Sequence, residues 1–388
     1  MTYGMTDGPL LTQPLTLRGV TLPNRSVVSP MSQYLSRDGY ANDYHLVHLG
    51  RFALGGAGLV FTEATAVEAR GRRTPGDLGL WEDGQSAEMA RIAAFIADQG
   101  SLPGIQLAHA GRKASERRPW DGETPLDAED EALRGEAPWT AVAPSAEPFG
   151  PDWHVPEALD QAGIDAVVAN FAAATRRAAE AGYKVLEIYA GHGFLVHQFL
   201  SPLANRRQDG YGGSRANRMR FACEVAAAVR GAWPADLPLS FRISAVDWHD
   251  GGWELEDTLA LAPALQACGV DILDCSSGGI SGHPGRQRIA IAPAFQAPFA
   301  EAVKAATGMT TMTVGFLRTP AEAEAVLQKG QADLVALARE LLYDPNWARH
   351  AAEALGADPD FGSWPPQFGW WLQRRAKALA RLAKAAVR

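Results

Sequence analysis

The chain has 388 residues, of which 47% are hydrophobic and 21% charged, as is typical of a folded globular protein with a large core. Its 36 basic and 44 acidic side chains give a net charge of -8, which argues against nucleic acid and anionic membranes as partners. The 3 cysteines show no CxxC spacing, and no apolar stretch reaches the ~18 residues of a membrane span. We therefore expect a cytoplasmic protein.

Eight short apolar segments are predicted to be β-strands, with amphipathic helical patterns between most of them. Three of the helical patterns end at a glycine that can adopt a left-handed cap, namely Gly182, Gly269 and Gly330. Alternating strands and helices indicate parallel pairing, and eight such units favour an α/β fold of the (β/α)8 TIM barrel type over an open doubly wound sheet. The predicted strands are 27–30, 58–64, 103–108, 185–190, 239–244, 271–276, 310–315 and 333–338.

A stretch rich in Pro, Asp and Glu, at about 111–156, delays the helix expected after the third strand. Loops of this length inside a compact domain are usually functional or disordered, and a loop after a barrel strand lies on the active-site face. We predict that this stretch caps the pocket of a barrel domain spanning 1–355. Residues 356–388 are predicted to form an aromatic and basic tail.

Polar side chains occupy the ends of several predicted strands. In a barrel these ends converge on one mouth, where they could surround a small molecule. Each residue alone could equally serve as a cap or a core contact, so the set is more informative than its members. The residues are Ser29, Glu63, Gln106, His109, His192, Arg242, Ser276 and Arg339.

Two of these strand ends indicate an anionic ligand. Gly315 and Ala338-Arg339 end the seventh and eighth strands, where barrels often bind a phosphate, although a strand-ending glycine and a surface arginine explain them equally well. Arg242 lies in an apolar strand end and therefore needs either a carboxylate or a bound anionic group as its partner. No spacing of His and Cys completes a set of metal ligands, so no metal site is predicted.

Several motifs lie in order along nearly the whole chain. They are Ser29-Pro30-Met31 with Tyr34, the segment 104–113, His192-Gly193 with 199–202, the segment 209–214, Asn217-Arg218, and Gly315 with 339–342. Together they resemble the Old Yellow Enzyme flavoproteins, especially their shorter thermophilic-like and xenobiotic-reductase-like bacterial branch. The resemblance implies an FMN-containing barrel that takes hydride from NADPH or NADH and passes it from flavin N5 to an activated C=C bond of an enone, nitroalkene or maleimide.

The resemblance also implies FMN contacts, position by position. Arg242 would face flavin N1 and O2, where a cation stabilises negative charge on the flavin. The other implied contacts are Ser29, Pro30, Met31 and Ser32 along the flavin, Ala64 and Gln106 at its pyrimidine side, and Gly315, Ala338 and Arg339 at the phosphate.

The chain departs from the family pattern on the substrate side. The family usually binds the substrate carbonyl with two histidines, or a histidine and an asparagine; here His192 is kept and Tyr189 takes the first position. Phe194 replaces the tyrosine that usually protonates the α-carbon, and Ser32 replaces a cysteine that often tunes the flavin potential. The implied catalytic and substrate-contacting residues are therefore His192, Tyr189, Phe194 and Tyr34. Alternatively, Tyr189 and Phe194 simply refill the pocket for a different substrate.

Loss of a general acid typically costs ~10²–10⁴-fold in rate. Because hydride addition to a nitroalkene gives a stabilised anion that solvent can protonate, Phe194 predicts a preference for strongly activated acceptors. Two alternatives remain: the same flavin could reduce nitro groups or nitrate esters or oxidise amines, or the barrel could be a flavin-free phosphate-binding enzyme. Ser32 predicts an altered flavin potential.

The C-terminal tail combines tryptophans with a basic helix. In this branch of the family the C-terminal segment can place an aromatic residue or an arginine in the active site of a neighbouring subunit, and Trp370 is the best positional match. This implies a homodimer or homotetramer with Trp370 in the substrate pocket. A tryptophan cluster packed within one subunit is the alternative.

Overall fold

The computed structural model describes residues 8–282, 289 and 291–386. Within them, eight parallel strands each pair with the next, and β8 pairs with β1 through Val335 and Ser26, so the sheet closes on itself. The strands are β1 (Ser26–Val28), β2 (Leu59–Ala66), β3 (Leu102–Ala108), β4 (Val185–Ala190), β5 (Leu239–Ser244), β6 (Ile272–Ser276), β7 (Thr310–Val314) and β8 (Leu334–Leu337). The predicted TIM barrel is confirmed, and the doubly wound alternative is wrong.

Helices follow the strands and cover the outside of the barrel. They are α1 (Asp43–Leu54), α2 (Ser86–Asp98), α3 (Ala128–Arg134), α4 (Gln161–Glu180), α5 (Leu195–Leu200), α6 (Arg215–Ala232), α7 (Leu255–Ala267), α8 (Ala297–Thr307), α9 (Pro320–Gln328), α10 (Arg339–Tyr343), α11 (Trp347–Ala354) and α12 (Pro366–Ala386). None of the described helices is long and apolar enough to cross a membrane.

Local sequence signals explain where several helices begin and end. Gly182, Gly269 and Gly330 adopt φ values of 89°, 90° and 69°, the left-handed conformation that glycine tolerates best. At the start of α9, the Thr319 side chain accepts a hydrogen bond from the Glu322 N–H, and the Glu322 carboxylate reaches back to the Thr319 N–H. These caps fix the connections from which β4, β6 and β8 start.

The barrel interior is apolar at the amino ends of the strands. A hairpin of two short strands, Leu15–Leu17 and Val20–Leu22, packs into the same buried cluster as Leu59 and Ile272, which begin β2 and β6. Residues two apart on a strand point to the same side. The inward-facing residues nearer the carboxyl end of each strand therefore line the opposite end of the barrel, its mouth. The hairpin thus closes one end and leaves the other for a site.

The predicted cap region, 111–156, contains short helical turns, α3 and the strand Val142–Ala143, which pairs with Glu157–Ala158. Near its start, Trp120 is 64% exposed and lies edge-on to the ring of Tyr34, with 5.6 Å between ring centroids. The segment therefore reaches one of the residues expected at the substrate. Its role as a cap stays a prediction.

The tail helix α12 is largely exposed: Trp370 is 49% and Trp371 66% accessible. Its contacts include a hydrogen bond from Gln373 Nε2 to the carbonyl oxygen of Asp360 (2.8 Å), and the Arg374 guanidinium lies 3.7 Å from the centroid of a Trp370 ring. Trp370 thus packs on its own helix. The boundary at 355 and the placement of Trp370 in a neighbouring subunit stay predictions.

Candidate active site

Two cavities open at the carboxyl ends of the strands, and Arg242 lines both of them. The larger has a volume of about 290 Å³ and the smaller about 190 Å³. The predicted residues that line the larger cavity are His192, Ser276, Gly315, Ala338 and Arg339. Those that line the smaller cavity are Pro30, Ser32, Tyr34, Ala64, Gln106, Tyr189 and Phe194. Residues scattered along the sequence are thus gathered around one arginine.

Three predicted site residues lie outside the lining of both cavities. Ser29 is buried and acts through Arg242, from which its hydroxyl accepts a hydrogen bond of 2.7 Å. Met31 is partly buried and packs against the hydrophobic core. Trp370 lies on α12 and does not contribute to these cavities within one chain.

Two polar residues at strand ends have other partners. Glu63 Oε2 accepts a hydrogen bond of 2.5 Å from the backbone N–H of Gln33. His109 Nε2 pairs with Glu68 Oε1 at 2.7 Å. Both hold loops beside the barrel mouth. Within the described ranges, no group of three or more His, Cys, Asp or Glu side chains is arranged to hold a metal ion.

Arg242 has a carboxylate partner on the neighbouring strand. The register of β5 and β6 sets Arg242 beside Asp274, and Arg242 Nε lies 3.3 Å from Asp274 Oδ2. Asp274 is fully buried, and burial raises its pKa. The first of the two partners expected from the sequence is therefore present, while the guanidinium still faces both cavities.

A second buried acid, Glu187, lies in the same layer. It accepts hydrogen bonds of 2.8 Å from Gln106 Nε2 and from Ser240 Oγ. Burial, with a further contribution from the charge of Asp274, raises the pKa of Glu187 to about 8. The sequence analysis missed both acids. The signal was the one used for Arg242, a charged residue inside an otherwise apolar strand.

Replacing Glu187 with glutamine is expected to flatten the pH dependence of stability. The folded-state pKa of Glu187, about 8, lies above the usual 4.5, so its stabilising contribution is complete below pH 4.5 and is lost as the pH rises through 8. Glutamine mimics the protonated form, so between about pH 5 and 9 the free energy of unfolding of the variant should fall by roughly 4 kcal/mol less than that of wild type. Urea unfolding of the apoprotein measures this. Equal losses in both proteins would contradict the prediction, and the exposed substitution Glu180→Gln is the control.

Tyr189, His192 and Ser276 form a hydrogen-bonded chain between the two cavities. Tyr189 Oη lies 2.8 Å from His192 Nδ1, and His192 Nε2 lies 2.7 Å from Ser276 Oγ. Burial raises the pKa of Tyr189 to about 12 and lowers the pKa of His192 well below its usual value, so the phenol is protonated and the imidazole neutral at pH 7. Tyr189 faces the smaller cavity and His192 the larger. Direct contact of His192 with a substrate stays a prediction.

A tight backbone contact fixes the turn that carries His192. Gly193 has φ 77°, and a Cβ atom at this position would lie 2.2 Å from the carbonyl oxygen of Gly279. The backbone N–H of His192 also donates to Ser244 Oγ at 2.8 Å. Only glycine allows this approach, which brings the turn after β4 against the loop after β6.

The far end of the larger cavity suits a phosphate. Gly315 has φ 138°, and a Cβ atom there would lie 3.0 Å from the Phe295 ring. A side chain at this position is therefore disfavoured, and the backbone stays accessible to a ligand. Arg339 begins α10, and its guanidinium lies 5.9 Å from the Phe316 ring centroid. Backbone N–H groups plus a cation at this end, with Arg242 at the junction, match the phosphate and the electron-rich ring edge of FMN.

A closed parallel barrel with such a site fits the class of FMN-binding oxidoreductases. The chain belongs to the NADH:flavin oxidoreductase / NADH oxidase family, whose sequence model matches residues 10–358. It is an NAD(P)H-dependent flavin oxidoreductase of the Old Yellow Enzyme type that uses FMN. The predicted family and cofactor are thereby confirmed, and the flavin-free alternative is wrong.

Proteins with similar sequences or structures are named as oxidoreductases, dehydrogenases or reductases. The chain is 42% identical over 380 residues to an NADH:flavin oxidoreductase of Gibberella zeae, covering 94% of this chain and 89% of the relative. It is 41% identical over 349 residues to an NADPH dehydrogenase of Geobacillus sp. (strain WCH70), covering 89% and 95%. Among solved structures, morphinone reductase matches with a TM-score of 0.74 and 25% identity over 91% of both chains.

Proposed function

We propose that this enzyme reduces the C=C bond of small, electron-poor alkenes with NADPH or NADH. FMN, when bound, supplies the hydride transfer between the nicotinamide and the alkene. The observation that supports the proposal is the smaller cavity, in which the protonated Tyr189 hydroxyl and the Arg242 guanidinium line one space together with Phe194. A hydroxyl beside an apolar ring suits an alkene that carries an activating oxygen.

The chain's own residues divide into two groups. Arg242 and Gln106 would hold the polar edge of the flavin, and Gly315 and Arg339 would hold the phosphate. Ser29 positions Arg242 through its hydroxyl. On the substrate side, Tyr189 donates a hydrogen bond to the activating oxygen and withdraws electrons from the alkene. The single O–H of Tyr189 is available for this bond in the tautomer in which His192 Nδ1–H donates to Tyr189 Oη and His192 Nε2 accepts from Ser276 Oγ.

Phe194 leaves the α-carbon without a proton donor of its own. Its ring packs against Tyr189 with 4.3 Å between centroids and presents only carbon atoms to the smaller cavity. Introducing a hydroxyl by Phe194→Tyr is expected to speed reoxidation of the reduced enzyme by 2-cyclohexenone about 100-fold, and to change reoxidation by a nitroalkene little, because the nitroalkene needs no enzyme acid. Stopped-flow absorbance of the flavin measures both rates.

The wild type provides the reference for that experiment, since it should reduce nitroalkenes and maleimides faster than cyclic enones. Equal reoxidation of wild type by both acceptors, with no effect of Phe194→Tyr, would show that the missing acid does not set substrate preference. An enzyme that NADPH reduces but that no activated alkene reoxidises would contradict the proposed function itself.

A second candidate function rests on structural likeness. Histamine dehydrogenase from Rhizobium sp. 4-9 matches 90% of this chain with a TM-score of 0.73 and 25% identity, although this chain covers only 48% of that protein. Amine oxidation, like reduction of nitro groups or nitrate esters, does not require the missing acid. Product analysis with each substrate class separates these activities from alkene reduction.

The assembly and location follow from the same interpretation. We propose a cytoplasmic homodimer or homotetramer in which the exposed Trp370 reaches the smaller cavity of a neighbouring subunit. The solvent-accessible ring on α12 and the 3 free cysteines support this proposal.

A further inference from the structure

Arg73 brings a second cation to the smaller cavity, in addition to Arg242. It lies in the loop after β2, and its backbone N–H donates to Asp77 Oδ2 at 2.8 Å. Its side chain pairs with Glu116 through Nε and Nη2, the latter 2.7 Å from Glu116 Oε1. Because Glu116 is only 1% exposed, this bidentate pair fixes the guanidinium in one orientation.

The orientation leaves a free donor edge toward the cavity. Arg73 Nη1 donates to Tyr34 Oη at 3.2 Å, and each Nη nitrogen carries two N–H groups. The Tyr34 oxygen accepts this bond, so its own O–H is not consumed by it. Burial raises the pKa of Tyr34 to about 12, which keeps that hydroxyl protonated. An N–H and an O–H therefore lie side by side on one wall, a spacing suited to a group with two oxygens.

Lys113 adds positive charge close to this wall. Its ammonium donates to the carbonyl oxygen of His192 at 3.2 Å and lies 4.7 Å from the ring centroid of Phe149. Burial, with a smaller contribution from Arg73, lowers the pKa of Lys113 to about 8, so it is mostly charged at pH 7. Across the described part of the chain, no carboxylate oxygen lies within ion-pairing distance of this nitrogen. Two acids lie at this wall, the buried Glu116 and the largely exposed Glu123, whose Oε1 lies 3.5 Å from Arg73 Nη2, and the charges of Arg73 and Lys113 together offset them.

We propose that Arg73 and Tyr34 bind a carboxylate on the substrate, so that among α,β-unsaturated carbonyl compounds the enzyme prefers those that also carry a carboxylate. This inference rests on the function proposed above. Tyr189 contacts the activating carbonyl, and the Arg73 edge contacts the carboxylate. The reaction stays balanced: NAD(P)H supplies hydride, solvent supplies one proton, and C=C becomes C–C with two new C–H bonds.

A matched pair of acceptors tests the charge requirement. Monomethyl fumarate carries one carboxylate, and dimethyl fumarate is its neutral analogue. Wild type should favour the monoester when kcat/KM is compared at low salt, and Arg73→Gln should lower the monoester-to-diester ratio of kcat/KM about 10- to 100-fold, as expected for a lost hydrogen bond to a charged group. The single variant leaves Glu116 buried without its cation, so Arg73→Gln combined with Glu116→Gln is made in parallel. It should lower the ratio similarly while keeping the fold.

A binding measurement separates recognition from turnover. Monomethyl succinate cannot be reduced, and its binding to the oxidised holoenzyme is followed by the change in flavin absorbance. Its dissociation constant should rise by the same 10- to 100-fold in the double variant. The control is Arg72→Gln, which removes one positive charge at the neighbouring residue. The Arg72 side chain stacks on Trp81 and Trp139.

The outcomes distinguish the inference from the function on which it rests. An unchanged ratio and an unchanged dissociation constant in both Arg73 variants would overturn carboxylate recognition. If wild type binds monomethyl succinate through Arg73 but reduces neither fumarate ester, the recognition site stands and the proposed alkene reduction fails. If it reduces both esters equally and Arg73 has no influence, the function stands and this inference fails.

Discussion

Replacing Arg242 with methionine is expected to abolish retention of FMN and to lower the free energy of unfolding of the apoprotein by about 3–5 kcal/mol at pH 8. The physical reason is that Asp274, 3.3 Å away and fully buried, would lose the cation that offsets its desolvation. The loss should shrink toward pH 5, because the variant can then protonate Asp274 at little cost. Flavin absorbance after gel filtration and urea unfolding at both pH values measure the two effects.

A double variant separates stability from cofactor binding. Arg242→Met combined with Asp274→Asn removes the charge from both partners, and it should recover most of the stability lost in the single variant. It should not recover FMN, because the cation at the junction of the two cavities is still missing. Full flavin occupancy in either variant would show that Arg242 does not hold the cofactor. If the single variant is destabilised relative to wild type by the same amount at pH 8 as at pH 5, Asp274 does not need the charge of Arg242.

Replacing Tyr189 with phenylalanine should slow reoxidation of the reduced enzyme by activated alkenes about 100-fold, the usual cost of removing one preorganised donor to a developing oxyanion. Reduction by NADPH should change little, because the nicotinamide has no activating oxygen that must gain charge. Stopped-flow measurement of each half-reaction tests this separation. The expectation depends on a phenol whose pKa, raised to about 12 by burial, keeps it a donor.

A second buried tyrosine provides the control for Tyr189. Tyr183 hydrogen-bonds to Thr62 Oγ1 at 2.9 Å and is fully buried, away from both cavities. Tyr183→Phe should therefore lower stability modestly and leave both half-reactions unchanged. If Tyr189→Phe slows reduction by NADPH as much as reoxidation, the hydroxyl is shaping the flavin site rather than activating the alkene.

The fold was predictable because its signals are local. Glycine after a helical pattern, the capping box at Thr319 and short apolar segments depend on neighbouring residues, and all eight strands were found within a few residues of their observed bounds. Much of the site was also predictable, because strand ends of a barrel must converge. Ser32, Ala64 and Gln106 line one cavity although they lie far apart in sequence.

The features of the site that could not be predicted depend on which side chains come into contact in the folded chain. The choice between a carboxylate and a bound anion for Arg242 could not be made before the register of β5 and β6 set Asp274 beside it. The division of Tyr189 and His192 between two cavities depends on the turn at Gly193. Arg73 follows no strand pattern at all, since it comes from a loop and is fixed by Glu116 in another loop.

The layer of Glu187, Arg242 and Asp274 bears on when the cofactor can join the protein. Asp274 already pairs with the guanidinium inside the barrel, so a newly synthesised chain does not need flavin to provide Arg242 with a counter-charge. We therefore expect the barrel to fold without FMN and to bind the cofactor afterwards.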